Sequence, residues 1–494
     1  MNKIGFDNDK YFRLQKQKIQ DRISMFDNKL YMEFGGKLFD DYHAQRVLPG
    51  FLKDNKIELM KQLKNDIEIV IAISALDIEH NKMRNDNDLS YDQEVLRLVD
   101  VFKANGLFVG SVVITQFDGQ DSSLKFKHKL EVLGMKTYLH YRIEGYPSNV
   151  PLILSEEGFG KNDYIETSRP LVMVTAPGSG SGKMALCLSQ LYQDFTKGLK
   201  SGYAKFETFP VWDVPLNHPL QLAYEAATAN LVDVNIIDPY HYAAYNEVAT
   251  SYNRDSEVFP VLNSVFKSIY KDSPYKSPTD MGVNVIGSCI VDDEVVRKAS
   301  NDEIIRRYME AVVNLKRQKE VVETVERLEM IMNQSELTVS DRKVVDAAIA
   351  VAKATEKPAV AIELNDGVII TGKTSDLLGA ASAALLNALK HLGNIDDAIP
   401  LISSSVIKPV QQLKVTRLGN SSPMLHIDEV LIMLSIAAID NKYAKLALEQ
   451  LPKLAACEMH SSVILSSTDK KVIKELDINL TTNPSYRNNR LFRK

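Results

Sequence analysis

Cysteine is scarce in this sequence of 494 residues, which holds only Cys187, Cys289 and Cys457. An odd number of widely separated thiols excludes a disulfide framework and suits a reducing compartment. An excess of one charge is lacking too, because 59 basic and 64 acidic side chains leave a net charge of −5. That balance provides no electropositive footprint for nucleic acid or anionic lipid. Long apolar runs are also missing, as no segment reaches the roughly 18 to 20 consecutive apolar residues of a membrane helix. The opening MNKIGFDNDKYFRLQKQKIQDR is polar and has no signal-peptide core. The expectation is a cytoplasmic protein with neither nucleic-acid nor membrane partners. H-E-x-x-H, G-x-S-x-G and paired cysteines at zinc-finger spacing are absent, so no metal centre, metalloprotease or α/β-hydrolase is indicated.

What is present is ordinary core material, 45% hydrophobic and 25% charged, in a chain long enough for two to four domains. Short apolar runs recur at 29–34, 68–75, 111–117, 136–143, 151–155, 171–176 and 203–209, with helix-like stretches between several of them. Strands alternating with helices predict a doubly wound, largely parallel α/β domain over 1–210. Residues 211–300 read as an irregular, substrate-forming segment rich in Pro, His, Asn, Asp and Tyr, and 301–355 as a helical domain. In 356–494 the period changes to two around Asn365-Asp366-Gly367, a hairpin signal. The small-residue helix 377–392, the strands PLISSS (400–405) and SSVILSS (461–467), and further helices complete a smaller C-terminal α/β unit.

The stretch LVMVTAPGSGSGKMALCLSQLY (171–192) runs from strand through glycine turn to helix, which collects unpaired amides and a positive helix end at one point. Gly178, Gly180 and Gly182 permit positive φ and close approach, Ser179 and Ser181 offer hydroxyls, and Lys183 is placed to reach a phosphate. Pro177 and Met184 replace the first Gly and the magnesium-binding hydroxyl of G-x-x-x-x-G-K-[ST]. Phosphate binding is therefore expected, with ATP a candidate cofactor and Mg²⁺ disfavoured. A plain strand-to-helix turn is the alternative.

Two further loops combine glycine with lysine: Gly35-Gly36-Lys37, followed by Asp40 and His43, and Gly158, Gly160, Lys161 and Asn162. In the irregular segment and the strand before it, Lys205, Glu207, His218, Glu225, His241, Asn253, Arg254, Asp255 and Glu257 are candidates for substrate recognition or proton transfer, with a partnered structural role as the alternative for each. Of these, Gly35, Gly36, Lys37, Lys161, Asn162, Glu207, His218, His241, Arg254 and Asp255 form the candidate cleft. Asp238, Asp292 and Asp293 follow apolar runs and read as metal ligands or as turn residues. Cys457 and His460 are a candidate thiol–imidazole pair, or packing residues.

KLYMEFGGKLFDDYHAQRVLPGF, VTAPGSGSGKMALCLSQLY, AKFETFPVWDVPLNHPLQLAYEAATA, SYNRDSEVFPVL, YKSPTDMGVN, AIELNDGVIITGKTSDLLGAASAALLNALK and MHSSVILS together resemble a bacterial family of uncharacterised proteins of about this length. That family carries a domain-of-unknown-function label, and some members are called ATP-dependent peptidases, for which this sequence has no motif. The resemblance implies α/β parts, a helical domain and a C-terminal unit similar in topology to cytidine deaminases. The chain departs from a working deaminase, since the helix bearing GAASAALLNAL has no H-x-E and no P-C-x-x-C follows. The expected function is binding of a nucleotide or other phosphorylated small molecule through 177–183, as a ligase or phosphotransferase. A non-catalytic metabolite-binding or scaffold protein and a metal-free transferase are the alternatives, with a homodimer as the default assembly.

Overall fold

Six of the short apolar runs become a parallel sheet in a computed structural model that describes residues 4–36, 38–39, 41–84, 89–231 and 233–486. Its strands are β1 Leu30–Phe34, β2 Ile67–Ser74, β3 Phe108–Phe117, β4 Lys136–Tyr141, β5 Leu171–Thr175 and β6 Gly202–Phe206, ordered β4-β3-β2-β5-β1-β6. β2 is buried along its whole length, as a parallel strand covered on both faces must be. One face carries Met32, Phe34, Ile69, Ile71, Ile73, Met173 and Phe206 against Val95, Leu98 and Phe102 of the Tyr91–Ala104 helix. The other carries Tyr31, Val70, Ala72, Val172, Val174 and Tyr203, covered by Leu186, Cys187 and Leu191 of the Lys183–Thr196 helix and by Phe259, Leu262 and Phe266 of the Asn253–Tyr270 helix.

Contacts divide the chain into two units, one built from Ile4–Glu225 and Val232–Val296, the other mainly from Arg297–Lys494. The first unit also contains the antiparallel pair β7 Asn235–Ile237 and β8 Thr250–Tyr252. Two local expectations in this unit are corrected. Residues 151–155 are not a strand, because Asn149 caps a short helix at Val150–Ile153 by accepting from the Leu152 amide, and Pro151 suits a helix's first turn. The stretch around SYNRDSEVFPVL is not irregular but opens the 18-residue helix Asn253–Tyr270. Burial of Phe259, Leu262, Val265, Phe266 and Ile269 along one face outweighs the cost of Pro260.

The second unit has a four-stranded sheet of β9 Ala359–Glu363, β10 Ile369–Lys373, β11 Glu458–Ser461 and β12 Asn479–Thr482, ordered β10-β9-β11-β12. β9 runs antiparallel to β10 and to β11, while β11 and β12 are parallel. The hairpin turns where expected: Gly367 has φ +86°, its amide donates to the Leu364 carbonyl, and Asp366 accepts from the Val368 amide. Val344 and Ala348 of the Lys343–Thr355 helix pack on Ala361, so the end of the segment read as a helical domain covers this sheet. PLISSS is not a strand, since Ser403 caps the Ser404–Thr416 helix while Leu401 and Ile402 fill the core from a loop. SSVILSS contributes only Ser461 to β11, because the Ser461 hydroxyl turns the chain by bonding the Val463 carbonyl and Ser466 starts the Ser467–Glu475 helix. Among the described residues, no helix is long and apolar enough to cross a membrane.

The run of small residues in the Ala380–Leu392 helix has a steric reason. Gly372 of β10 lies so close to the helix that a Cβ there would overlap the Ala384 backbone amide. Gly372→Ala is expected to destabilise this unit by about 1–3 kcal/mol through overpacking. Urea unfolding would read this as a lower midpoint at unchanged slope, and an unaltered midpoint would refute the close-packing account.

Candidate functional site

The helices following β1 and β2 pack on one face of the sheet, whereas the helix following β5, lying between them, packs on the other. Connections leaving neighbouring strands in opposite directions open a crevice at the carboxyl edge, where ligands of such sheets bind. The loop that fills this position is the glycine stretch 176–182.

Five of its carbonyls, those of Pro177, Gly178, Gly180, Ser181 and Gly182, accept hydrogen bonds from protein donors. Arg84 Nη1 donates to the Pro177 oxygen at 2.9 Å, Ser181 Oγ to Gly178 at 3.1 Å, Gln116 Nε2 to Gly180 at 3.3 Å, and Thr115 Oγ1 to Ser181 at 2.8 Å. The Gly182 carbonyl starts the helix by accepting from the Leu186 amide at 3.0 Å. Among the described residues, none of the amides from Gly178 to Gly182 donates to a protein acceptor. Those of Lys183 to Ala185 join them as the unpaired first turn of a helix. Gly180 and Gly182 have φ of +78° and +79°, and a Cβ on Gly182 would lie 2.9 Å from Thr115 Oγ1. Ser179 is exposed, whereas Ser181 is buried and spends its hydroxyl inside the loop. Met184 packs against the apolar cluster beneath, which accounts for a thioether where magnesium-binding loops have a hydroxyl.

Beside the loop, at the ends of β1 and β6, lies a group of charges. In register, Glu33 stands between Val174 of β5 and Lys205 of β6. Paired residues of parallel strands point to the same face, with strands about 4.8 Å apart. Lys205 Nζ is 2.7 Å from Asp255 Oδ2 and 3.2 Å from Glu207 Oε1. Glu33 Oε2 accepts from the Tyr203 hydroxyl at 2.8 Å. Burial acts to lower the Lys205 ammonium, but Glu207, Asp255 and Glu33 outweigh it and hold the pKa well above the ordinary lysine range. Burial pushes the Glu207 carboxyl up to about 7 against the pull of Lys205, with Asp255 and Glu33 adding repulsion. Gly35 is required here, since a Cβ would sit 2.7 Å from Glu207 Cγ.

Of the residues expected in the cleft, the fold brings Gly35, Glu207 and Asp255 together. The others have local partners elsewhere. Gly36, with φ +70°, faces Lys56 Nζ. Lys161 lies over the Tyr141 ring at 4.9 Å. Asn162 is buried, joining β4 to the Lys183–Thr196 helix through the Tyr141 amide and the Ser189 hydroxyl. His218 bonds Asp293 Oδ1 and the Leu220 amide, His241 bonds Ser277, and Arg254 pairs with Asp233 at the surface. Asp238 accepts four hydrogen bonds, from the amides of Tyr240, His241 and Thr279 and the Thr279 hydroxyl, which is the work of a cap. Asp292 accepts from the Val295 amide. In the other unit, Cys457 bonds the Lys453 carbonyl and His460 the Thr481 hydroxyl, so the two are not a pair. Lys37 and Asp40 lie outside the described residues. Glu33 and Tyr203 carry no motif in the sequence; the signal for Glu33 is a lone charge in the otherwise apolar strand LYMEF.

Residues 4–336 match the N-terminal part of the domain of unknown function DUF1846, and residues 340–492 match its C-terminal part. The chain belongs to this family. A UPF0371 protein of Streptococcus pyogenes serotype M5 (strain Manfredo) is 53% identical over 494 residues, covering all of both chains. One from Streptococcus uberis (strain ATCC BAA-854 / 0140J) is 52% identical over the same span. The family boundary between 336 and 340 falls just ahead of the Lys343–Thr355 helix that covers the C-terminal sheet.

The Glu207 carboxyl titrates near 7 in the folded chain and near its ordinary 4.5 in an unfolded one. The folded state thus holds this proton more tightly, and the group's contribution to stability falls as pH rises between those values. The melting temperature of Glu207→Gln, relative to the parent, is expected to rise from about pH 5 to about pH 8. A difference that stays constant with pH, read by scanning calorimetry, would show an unperturbed carboxyl.

Proposed function

We propose that this chain binds a phosphorylated small molecule at the carboxyl edge of its parallel sheet, with the phosphate seated on residues 177–183. The observation that carries the reading is the division of labour in the loop: the carbonyls of Pro177, Gly178, Gly180 and Ser181 are tied to Arg84, Ser181, Gln116 and Thr115, while the amides from Gly178 to Gly182 donate to no protein acceptor among the described residues. Successive free amides at a helix start form an anion-binding concavity, and Lys183 adds a mobile positive charge. Lys183 pairs with no carboxylate among the described residues. The packing of Met184 favours a ligand held by amides and lysine alone over a nucleotide held through magnesium. Such a site serves a transferase or ligase acting on a phosphorylated substrate, or a metabolite sensor. In the second unit, the order β10-β9-β11-β12, with β9 antiparallel to both neighbours, supports a deaminase-like frame that serves architecture rather than zinc chemistry.

Titration calorimetry with inorganic phosphate, ribose 5-phosphate and ATP, each with and without Mg²⁺, tests the site. At least one phosphorylated compound is expected to bind without Mg²⁺, and Lys183→Ala to weaken it at least tenfold, about 1.4 kcal/mol. Equal affinity for parent and variant would remove the loop from the binding site.

A further inference from the structure

The phosphate loop and the charged group beside it share one crevice, and their chemistry is opposite. Lys183 and Cys187 lie four residues apart on one face of their helix. Cys187 is fully buried against the face that carries Tyr31, Val174 and Tyr203. Lys183 therefore lies one turn above Cys187, towards the ends of β1 and β5. The thiol feels both sides: burial raises its pKa, Glu33 raises it further and Lys183 lowers it. Yet Glu33 and Lys183 form no ion pair with each other. Beyond Glu33 stand Glu207 and Asp255, both held by Lys205.

We infer that the ligand is a phosphate ester of a polyhydroxylated compound, its phosphate on 177–183 and its hydroxyls against Glu33, Glu207 and Asp255. This inference rests on the phosphate-binding reading of the loop. Carboxylates are acceptors and recognise hydroxyl or ammonium donors. Two considerations select hydroxyls. Lys205 already neutralises part of the negative charge at this wall. Glu207, partly protonated near neutral pH, both donates and accepts, as a hydroxyl does. A bare phosphate fills only the loop side of the crevice, so the wall is the source of preference among phosphate esters.

Calorimetric titration of the full chain with inorganic phosphate, ribose 5-phosphate, glucose 6-phosphate and phosphoethanolamine tests this. At least one of the two sugar phosphates is expected to bind tenfold or more tightly than inorganic phosphate and than phosphoethanolamine. Glu207→Gln is expected to cancel that gain, with the variant's circular-dichroism spectrum and melting transition certifying its fold. Sugar phosphates binding no better than inorganic phosphate to the parent protein would overturn the inference and leave the phosphate site standing, as would tighter binding of phosphoethanolamine. Binding of none of the four would overturn both. Should Glu207→Gln fail to fold, the ratio of sugar phosphate to inorganic phosphate in the parent decides alone.

Discussion

The position of β5 constrains everything at the carboxyl edge. By inserting between β2 and β1, and sending its helix to the opposite face from theirs, it opens a crevice that a sheet wound in sequence order would lack. The same insertion places β1 between β5 and β6, so that Glu33 is paired with Lys205 on one side and with Val174, just before the glycine loop, on the other.

Holding Lys205 in a largely buried place demands compensation, because a lone buried ammonium would be expelled or neutralised. Asp255 and Glu207 provide it directly and Glu33 from the neighbouring strand. The arrangement is overcharged with carboxylates, and Glu207 absorbs the excess by holding its proton. Removing one member of such a group typically costs about 3–5 kcal/mol, so its retention is a substantial constraint on these strands. Gly35 belongs to the same constraint, since its missing side chain is the space Glu207 occupies.

How much of this could be read in advance depends on the distance over which the signal is written. β1 to β6, the Asn365-Asp366-Gly367 hairpin and the glycine loop announce themselves within ten or so residues, through apolar runs and turn chemistry. The misread runs at 151–155, 400–405 and 461–467 are short apolar segments next to Asn149, Ser403 and Ser466, whose side chains cap helices and so decide the backbone. The Asn253–Tyr270 helix was obscured by Pro260, whose local cost is overridden by burial against the sheet. The loop was legible as a motif, but which of its groups stay open was not, since Arg84, Thr115 and Gln116 come from remote segments. Glu33, Glu207 and Asp255 meet only because of strand order, which no local pattern encodes.

The four clamps on the loop carbonyls also bear on thermodynamics. A run such as Gly-Ser-Gly-Ser-Gly would normally be a floppy chain, and ordering it around an anion would consume much of the contact energy. Here Arg84, Thr115, Gln116 and Ser181 fix its shape before any ligand arrives. The glycines supply conformations other residues cannot adopt, while side chains from distant segments remove the freedom that glycine brings. For the phosphate ligand proposed above, affinity would thus be set partly by residues that never touch it, as preorganisation.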